Sequence, residues 1–515
     1  MRTAWIGMAL GMALVAGAAR AANESDPLQR GLYVARAADC ISCHTEPGGQ
    51  AFAGGAALKT PFGALYAPNI TPDKATGIGD WSEQDFERAV RLGVRKDGAL
   101  LYPAMPYTNY AHISRDDLHA LWLYVHALPA VSHQAPKNSL SFPFNIRAGL
   151  GVWQSLYFKP GAFKPNPGKS AAWNRGHYLV QALGHCDACH TPRNIAQATE
   201  PQHRLTGAQI EGWYAPDIGS DPLSSIARWK LEDLAHFLRT GQAPDNSKVV
   251  GPMQEVVHDS LQYLTDADLL AIATYLKDQP RGVSPERVRN ASTSEANLKQ
   301  GRAVYLQECA SCHGSNGRGR PQVVPALAGD GAVTAREPYN VIMVLLEGLK
   351  AHGSWGAMGS FASSLDDQQI ADVTNYVRTA WGNHAEPNAT AWTVDNWRQL
   401  AQAPPGGEPQ ALMCPLLDDA VLQPALAPGP KVLRESAHDH AQLARLVASY
   451  AQARPGSSSA QIIEALSTAY CRAITADDTA ALSASSAQDT AEVADYSQQI
   501  AIVLTQHRAG SAAGT

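Results

Sequence analysis

The chain has 515 residues, of which 17% are charged and 45% hydrophobic, with a formal net charge of −6. That length implies roughly three to four domains. The composition, with 42 glycines and 33 prolines, fits a loop-rich globular protein. It excludes a disordered, collagen-like or coiled-coil chain, and the acidic balance excludes a broad basic footprint for nucleic acid.

In chain order, the first feature is a leader. Arg2 precedes an apolar stretch from Ile6 to Ala18 that ends in Ala19-Arg20-Ala21. The run is short for a bilayer span and reads as a secretory signal peptide over residues 1–21, an uncleaved anchor being the alternative. No later run approaches the ~20 apolar residues of a transmembrane helix. The expected product is an exported chain, soluble or held on a membrane surface through a partner.

Six of the eight cysteines repeat one pattern: Cys40-Ile-Ser-Cys43-His44, Cys186-Asp-Ala-Cys189-His190 and Cys309-Ala-Ser-Cys312-His313. Random placement of eight cysteines and 17 histidines predicts far fewer than one such run. Two thiols three positions apart on a helical turn can each form a thioether with a haem vinyl, and the adjacent histidine is aimed at the iron. A thioredoxin-like redox pair does not require that histidine, and a zinc site needs two pairs combined in one shell. The pattern predicts three covalent haem c groups on Cys40, Cys43, Cys186, Cys189, Cys309 and Cys312, with His44, His190 and His313 as proximal ligands.

Aligned on the cysteines, the three segments share more. Each motif follows a short helix opened by Gly31, Gly176 or Gly301. The first two share Tyr66-Ala-Pro-Asn-Ile and Tyr214-Ala-Pro-Asp-Ile, then Trp81 and Trp229. A helix is expected to start near Asp85, Asp233 and Asn340, each as a capping residue, and to end at Gly93, Gly241 and Gly348. Ser114 with Asp117, Thr265 with Asp268, and Asp366 with Gln369 resemble capping boxes. Stripes follow at Leu118, Leu121 and Tyr124; Leu269, Ile272 and Tyr275; and Ile370, Val373 and Tyr376. Their spacing suits packing on the segment's first helix.

The sixth iron ligand is expected from a methionine in the loop before each last helix: Met105, Met253 and Met358. A thioether is a soft neutral donor, and His/Met ligation raises the reduction potential. Met343 is the rival for the third iron, but it lies inside the apolar run Val341-Ile-Met-Val-Leu-Leu and reads as core. Bis-histidine ligation remains the alternative, through spare histidines such as His112, His258 and His352.

The chain resembles the three-haem cytochrome c subunits of bacterial periplasmic, membrane-associated dehydrogenases, a family serving alcohol, gluconate, fructose, sorbitol and glucose dehydrogenases. The resemblance rests on Lys59-Thr-Pro-Phe-Gly, Pro68-Asn-Ile-Thr-Pro-Asp, Leu101-Tyr-Pro-Ala-Met-Pro-Tyr, His190-Thr-Pro-Arg-Asn, Gly212-Trp-Tyr-Ala-Pro-Asp-Ile, Gly251-Pro-Met-Gln-Glu-Val-Val and Ile370-Ala-Asp-Val-Thr-Asn-Tyr-Val-Arg. It covers about residues 27–383. It implies a mainly α fold of three tandem class I-like cytochrome c domains plus a C-terminal α-helical extension.

The corresponding boundaries are 22–135, a connector at 136–172 rich in aromatics and proline, 173–284, 294–384, a linker at 385–410, and a helical domain at 411–515. The connector is expected to pack between domains, partner or quinone contact being the alternative. The resemblance also implies an electron-transfer role. Electrons would come from a separate flavin, PQQ or molybdenum catalytic subunit and leave to ubiquinone or a downstream cytochrome or oxidase, at the periplasmic face of the inner membrane. Two departures stand out: Asp217-Ile-Gly-Ser with Ile226-Ala-Arg-Trp near the second haem, and Gly359 where the family has proline after the methionine.

Cys414 and Cys471 are left over. In an oxidising exported setting they are expected to pair, stabilising by roughly 3–4 kcal/mol, two free buried thiols being the alternative. No dinucleotide-binding Gly-x-Gly-x-x-Gly unit follows a strand. With both axial positions filled, no iron position remains for substrate, so catalysis is assigned to a partner. The rivals are a multihaem peroxidase or reductase and a stand-alone electron shuttle.

Overall fold

A computed structural model describes residues 26–60, 62–219, 224–279, 293–351, 355–403, 419–457, 459–475 and ten positions between 492 and 506. The leader, His352 and Cys414 lie outside these residues. The described chain is mainly helical and divides into two compact units. The first holds the described residues up to Glu211 together with Ala215–Gln242 and those from Pro252 to 279. The second holds Gly212–Tyr214, Ala243–Gly251 and the described residues from 293 onward.

In the first unit, the leading segment contains helices α1 (Pro27–Ala37), α2 (Glu83–Leu92) and α3 (Arg115–His126). An antiparallel sheet runs β1 (Ala57–Thr60), β2 (Gly63–Tyr66) and β3 (Ser139–Leu140), with Ala57 opposite Tyr66 and Gly63 opposite Leu140. Helix α4 (Gly149–Tyr157) occupies the connector, and the next segment contains α5 (Ala171–Tyr178), α6 (Leu231–Thr240), α7 (Pro252–Asp259) and α8 (Asp266–Lys277). The second unit contains α9 (Glu295–Val304), α10 (Tyr339–Glu347), α11 (Asp367–Thr379) and α12 (Ala391–Ala401). Helices α13 (Asp419–Leu426), α14 (Pro430–Ser436), α15 (His440–Ala453) and α16 (Ser459–Thr475) follow.

Each haem-motif segment is built on the same crossing. A Cβ placed on Gly31 would lie 2.1 Å from the Ala120 carbonyl oxygen. On Gly176 it would lie 1.9 Å from that of Ala271, and on Gly301 2.0 Å from that of Asp372. The first helix therefore meets the last helix backbone to backbone, over the expected stripes: Leu118, Leu121, Leu269, Ile272, Ile370 and Val373 are all buried. Gly176→Ala forces the helices apart. Its expected cost is at least about 1–3 kcal/mol, read as a lowered chemical-denaturation midpoint with less haem incorporated.

The helix ends show where sequence reasoning needs correction. The glycines Gly93 and Gly241 close α2 and α6 in the left-handed conformation, with φ of 64° and 70°. Asp85 and Asp233, however, are the third residues of their helices, in the first turn, rather than caps, because Ser82 and Lys230 occupy the cap positions. Asn340 lies one residue into α10, and its side chain accepts from the Tyr214 amide at 2.8 Å.

The last helices are capped as expected by Ser114, Thr265 and Asp366, each accepting from the backbone three residues on. Only the third pair is reciprocal, with Gln369 accepting from the Asp366 amide at 3.0 Å. The carboxylates of Asp117 and Asp268 are diverted elsewhere.

Arg378 ends the family string Tyr-Val-Arg and is fully buried. Its guanidinium donates to the carbonyls of Val333, Ala335, Arg336, Glu337 and Glu386 at 2.9–3.1 Å. Arg378→Lys cannot reproduce that fork. A loss of roughly 2–4 kcal/mol is expected from the unsatisfied carbonyls, measured by urea unfolding.

The C-terminal helices share a core of Leu422, Leu433, Leu443, Val447, Leu466, Ala469 and Tyr496. Cys471 is buried there and disulfide-bonded; its expected partner, Cys414, is outside the described residues.

Candidate haem-binding sites

Each thiol pair stands on one helical turn. The His44 amide donates to the Cys40 carbonyl at 3.0 Å and the His190 amide to that of Cys186 at 2.9 Å, which puts side chains three apart on one side. In the third motif Cys309 caps the Ala310–His313 turn that carries Cys312 and His313. All six thiols are free. Burial, and then the Asp39 carboxylate, push Cys40 up to about 12; burial, then Asp187, do the same for Cys186, and burial, then Glu308, for Cys309. Burial also pushes Cys43 and Cys189 up to about 11. Thiols held protonated are not poised for the thiolate chemistry of a redox pair or zinc shell. Among the described residues no three metal-ligating side chains of His, Cys, Asp or Glu gather for a bare ion.

The three histidines are buried to the same degree, and each is fixed by one carbonyl. His44 Nδ1 lies 2.8 Å from the Pro68 oxygen, His190 Nδ1 2.7 Å from Pro216, and His313 Nδ1 3.0 Å from Pro325. A carbonyl only accepts, so Nδ1 carries the proton and Nε2 keeps its lone pair. Burial lowers all three pKa values, that of His313 to about 4. A neutral imidazole of set tautomer is what an iron ligand requires. Sequence reasoning passed over these prolines. The shared Tyr66-Ala-Pro and Tyr214-Ala-Pro strings were the signal, and the third segment offers Val324-Pro-Ala in their place.

The three methionines are half-buried. Met105 sits in a turn, its amide donating to the Tyr102 carbonyl at 3.1 Å. Met358 is held by a two-bond bridge to Leu349, 2.8 Å each way, and packs on the core of its segment. Met253 departs from expectation: it lies on the first turn of α7 rather than in a loop, because Pro252 is preset for a helix start. Met343 is buried within α10, as a core residue is. A Cβ on Gly359 would meet nothing within 4 Å, so space does not explain the missing proline.

Of the spare histidines, His258 is exposed and pairs with Asp259 at 2.6 Å. The pKa of His112 is lowered, by burial first and then by neighbours that include Arg204. Two unpaired thiols, an oriented imidazole and a thioether recur in each segment, and this donor set fits haem c.

Within the first unit the two haem-motif segments are joined by a reciprocal exchange. Tyr33, two residues after Gly31, donates from its hydroxyl to Asp268 at 2.6 Å and accepts from the Thr265 amide at 3.1 Å. Tyr178, two residues after Gly176, donates to Asp117 at 2.6 Å and accepts from the Ser114 amide at 3.1 Å. Each tyrosine thus completes the other segment's capping box through its own hydroxyl.

Arg30 and Arg175 hold the same carboxylates, Asp117 at 2.8 Å and Asp268 at 2.6–2.8 Å. Desolvation, then Asp268, raise the Tyr33 pKa to about 12. Asn109 adds a bond to Asp187 at 2.5 Å, and Ser42 one to Asp259 at 3.2 Å. After burial, Asp39, Glu211 and the Cys189 sulfur raise the Cys43 pKa, and Glu211 also raises that of Cys189, so the two motif turns share an acidic neighbour. The third segment has Gln300 and Ala303 where the others have arginine and tyrosine, so it lacks these groups.

Residues 298–381, around the third motif, match the cytochrome c family model. Fold and donor set together define a c-type cytochrome. The alcohol dehydrogenase (quinone) cytochrome c subunit of Gluconacetobacter polyoxogenes is 39% identical over 415 residues, 76% of this chain and 88% of that one. The gluconate 2-dehydrogenase cytochrome c subunit of Pantoea cypripedii is 40% identical over 396 residues, 72% and 89% of the two chains. The fructose dehydrogenase cytochrome subunit of Gluconobacter japonicus is 39% identical over 389 residues, 69% and 79%. The chain belongs to this family of dehydrogenase cytochrome c subunits.

Proposed function

We propose that this chain is the electron-transfer subunit of an exported dehydrogenase complex, carrying three covalent haem c groups in three tandem cytochrome c domains. Cys40, Cys43, Cys186, Cys189, Cys309 and Cys312 form the thioethers. His44, His190 and His313 are the proximal ligands, and Met105, Met253 and Met358 the distal ones. The observation that carries this reading is the threefold recurrence of a paired-thiol turn whose histidine is locked by a proline carbonyl.

Bound haem supplies the one-electron couple; the residues do the rest. The carbonyls hold each imidazole in its ligating tautomer, the methionines would supply a thioether to the iron and leave it no position for substrate, and the Tyr–Asp exchange fixes two segments against each other. The catalytic partner is a flavin, PQQ or molybdenum subunit that oxidises an alcohol, sugar, sugar acid or aldehyde. The acceptor is ubiquinone or a downstream cytochrome or oxidase, and the complex works at the periplasmic face of the inner membrane.

The test is the haem-to-polypeptide ratio of the purified mature chain, read with its dithionite-reduced spectrum and its turnover. Three haems per chain, full reduction and no oxidation of alcohol or sugar by the chain alone are expected. Fewer than three, or turnover without a partner, overturns the proposal.

A further inference from the structure

The connector packs against both flanking segments, as expected, but only with part of its surface. One side of α4 does pack: Trp153 donates to the Ala196 carbonyl at 2.8 Å, Gln154 to that of Leu92 at 3.3 Å, and Leu150 is buried. The other side is bare. Val152 is 63% exposed and Leu156 64%, one helical turn apart on the same face.

The loop leading into α4 exposes Phe142 and Ile146, 77% and 51% open to solvent. The turn that receives the Trp153 bond carries Ile195, fully exposed. Of the large hydrophobic side chains exposed among the described residues, the stretch from Phe142 to Tyr157 supplies a share far beyond its length. Single exposed leucines need no explanation, but a contiguous group of aromatic and branched side chains does.

Along the chain, the charges of this stretch are one-sided. From residue 118 to residue 186 there is no aspartate or glutamate, although the chain as a whole carries a net charge of −6. The same stretch contains Lys137, Arg147, Lys159 and Lys164, while its Lys169 and Arg175 are paired with Asp278 and Asp268 from farther along the chain. Lys137, Lys159 and Lys164 are exposed and flank the apolar group on both sides along the chain. No helix among the described residues is long and apolar enough to cross a membrane. An apolar face rimmed by lysines and free of carboxylates is the signature of a segment lying in a headgroup layer, its cations meeting anionic lipid and its apolar side chains reaching the acyl boundary.

We propose that residues 139–164 form an interfacial anchor that seats the first unit on an anionic lipid bilayer, with Val152 and Leu156 inserted and Lys159 and Lys164 at the phosphate level. This rests on the reading of the chain as a subunit working at a membrane face and names the surface that does so. A catalytic subunit is the competing occupant; the exposed lysines beside an exposed apolar face favour an anionic headgroup layer. Here one sign is missing over the whole stretch.

The experiment is sedimentation of the purified haem-loaded chain with vesicles of phosphatidylcholine alone or with about one third phosphatidylglycerol, at low and high salt. Wild type is expected to pellet with the anionic vesicles. The double variant Val152→Ser/Leu156→Ser is expected to lose at least about ten-fold in partition. Lys159→Glu/Lys164→Glu is expected to lose binding to anionic vesicles while leaving the weak neutral-vesicle binding alone.

The haem ratio and the melting temperature, taken on the same samples, are expected to stay at the wild-type value, because none of the four side chains is buried. Those readouts separate a failure of the anchor from a failure of the electron-transfer reading. Undiminished vesicle binding by both variants overturns the proposal. So does unchanged vesicle binding accompanied by loss of complex formation with a catalytic subunit.

Discussion

Replacing Tyr33 and Tyr178 together with phenylalanine is expected to loosen the first unit by roughly 3–6 kcal/mol, about 1.5–3 kcal/mol for each hydroxyl. Each substitution keeps the ring and removes one oxygen, but that oxygen serves two groups at once. Without it, the Asp268 carboxylate loses a donor while still held by Arg175, and the Thr265 amide at the head of α8 loses its acceptor. The same happens to Asp117 and Ser114 at the head of α3.

Either single variant breaks one side of the exchange. The double variant is expected to cost no less than the sum of the two singles, since the remaining side alone must hold the segments in register. Differential scanning of the holoprotein should show a first transition displaced downward while that of the third segment stays in place. Alkaline titration supplies the sign check. Tyr33 has its folded pKa raised to about 12, above the ordinary value near 10. Its contribution is fully present below pH 10 and is lost as pH rises from 10 to 12. Wild type should therefore lose stability across that window more steeply than Tyr33→Phe.

This exchange also shows what the sequence could and could not disclose. The haem motifs are legible because thioether chemistry requires two thiols and an imidazole within five consecutive residues. The apolar stripes are legible because helix packing repeats them three times at one register, whereas Gly31, Gly176 and Gly301 read as helix openers and instead lie inside α1, α5 and α9, where the helices cross. The tyrosine bonds span 235 and 61 residues, and no local pattern reports a partner at that distance. Asp117 and Asp268 were misread for a related reason. In a local reading a carboxylate three positions after a serine or threonine belongs to its own cap, and only the fold brings a phenol between them.

The proline oxygens that orient the histidines are backbone atoms, so the residue type carried only an indirect trace of them. Met253 illustrates the opposite case: Pro252 was visible as a helix-starting residue and was read as part of a loop. The C-terminal helices carry an apolar core but no chemical group in a recurring pattern, and the sequence there disclosed helices and nothing of a role.

Changing Met105, Met253 and Met358 to leucine one at a time is expected to convert one haem of the three from low-spin to high-spin in each variant. Loss of the soft neutral donor should lower the potential of that haem by on the order of a tenth of a volt or more. Leucine is close to methionine in volume, so packing costs stay small and the spectral change reports the lost sulfur. Met343→Leu is the control. Its side chain is buried in α10, and the prediction is an unchanged set of three low-spin haems.

The third site decides most, because Gly359 follows Met358 where the resemblance implies a proline, which would stiffen the backbone there. What remains to place that sulfur is the paired bridge to Leu349, 2.8 Å in each direction, together with the packing of Met358 on its segment's core. If the bridge suffices, Met358→Leu shifts one potential in a redox titration and Gly359→Pro leaves all three where they were. If Met343→Leu gives the high-spin signal and Met358→Leu does not, the ligand assignment at the third iron is overturned and α10 must supply the sulfur.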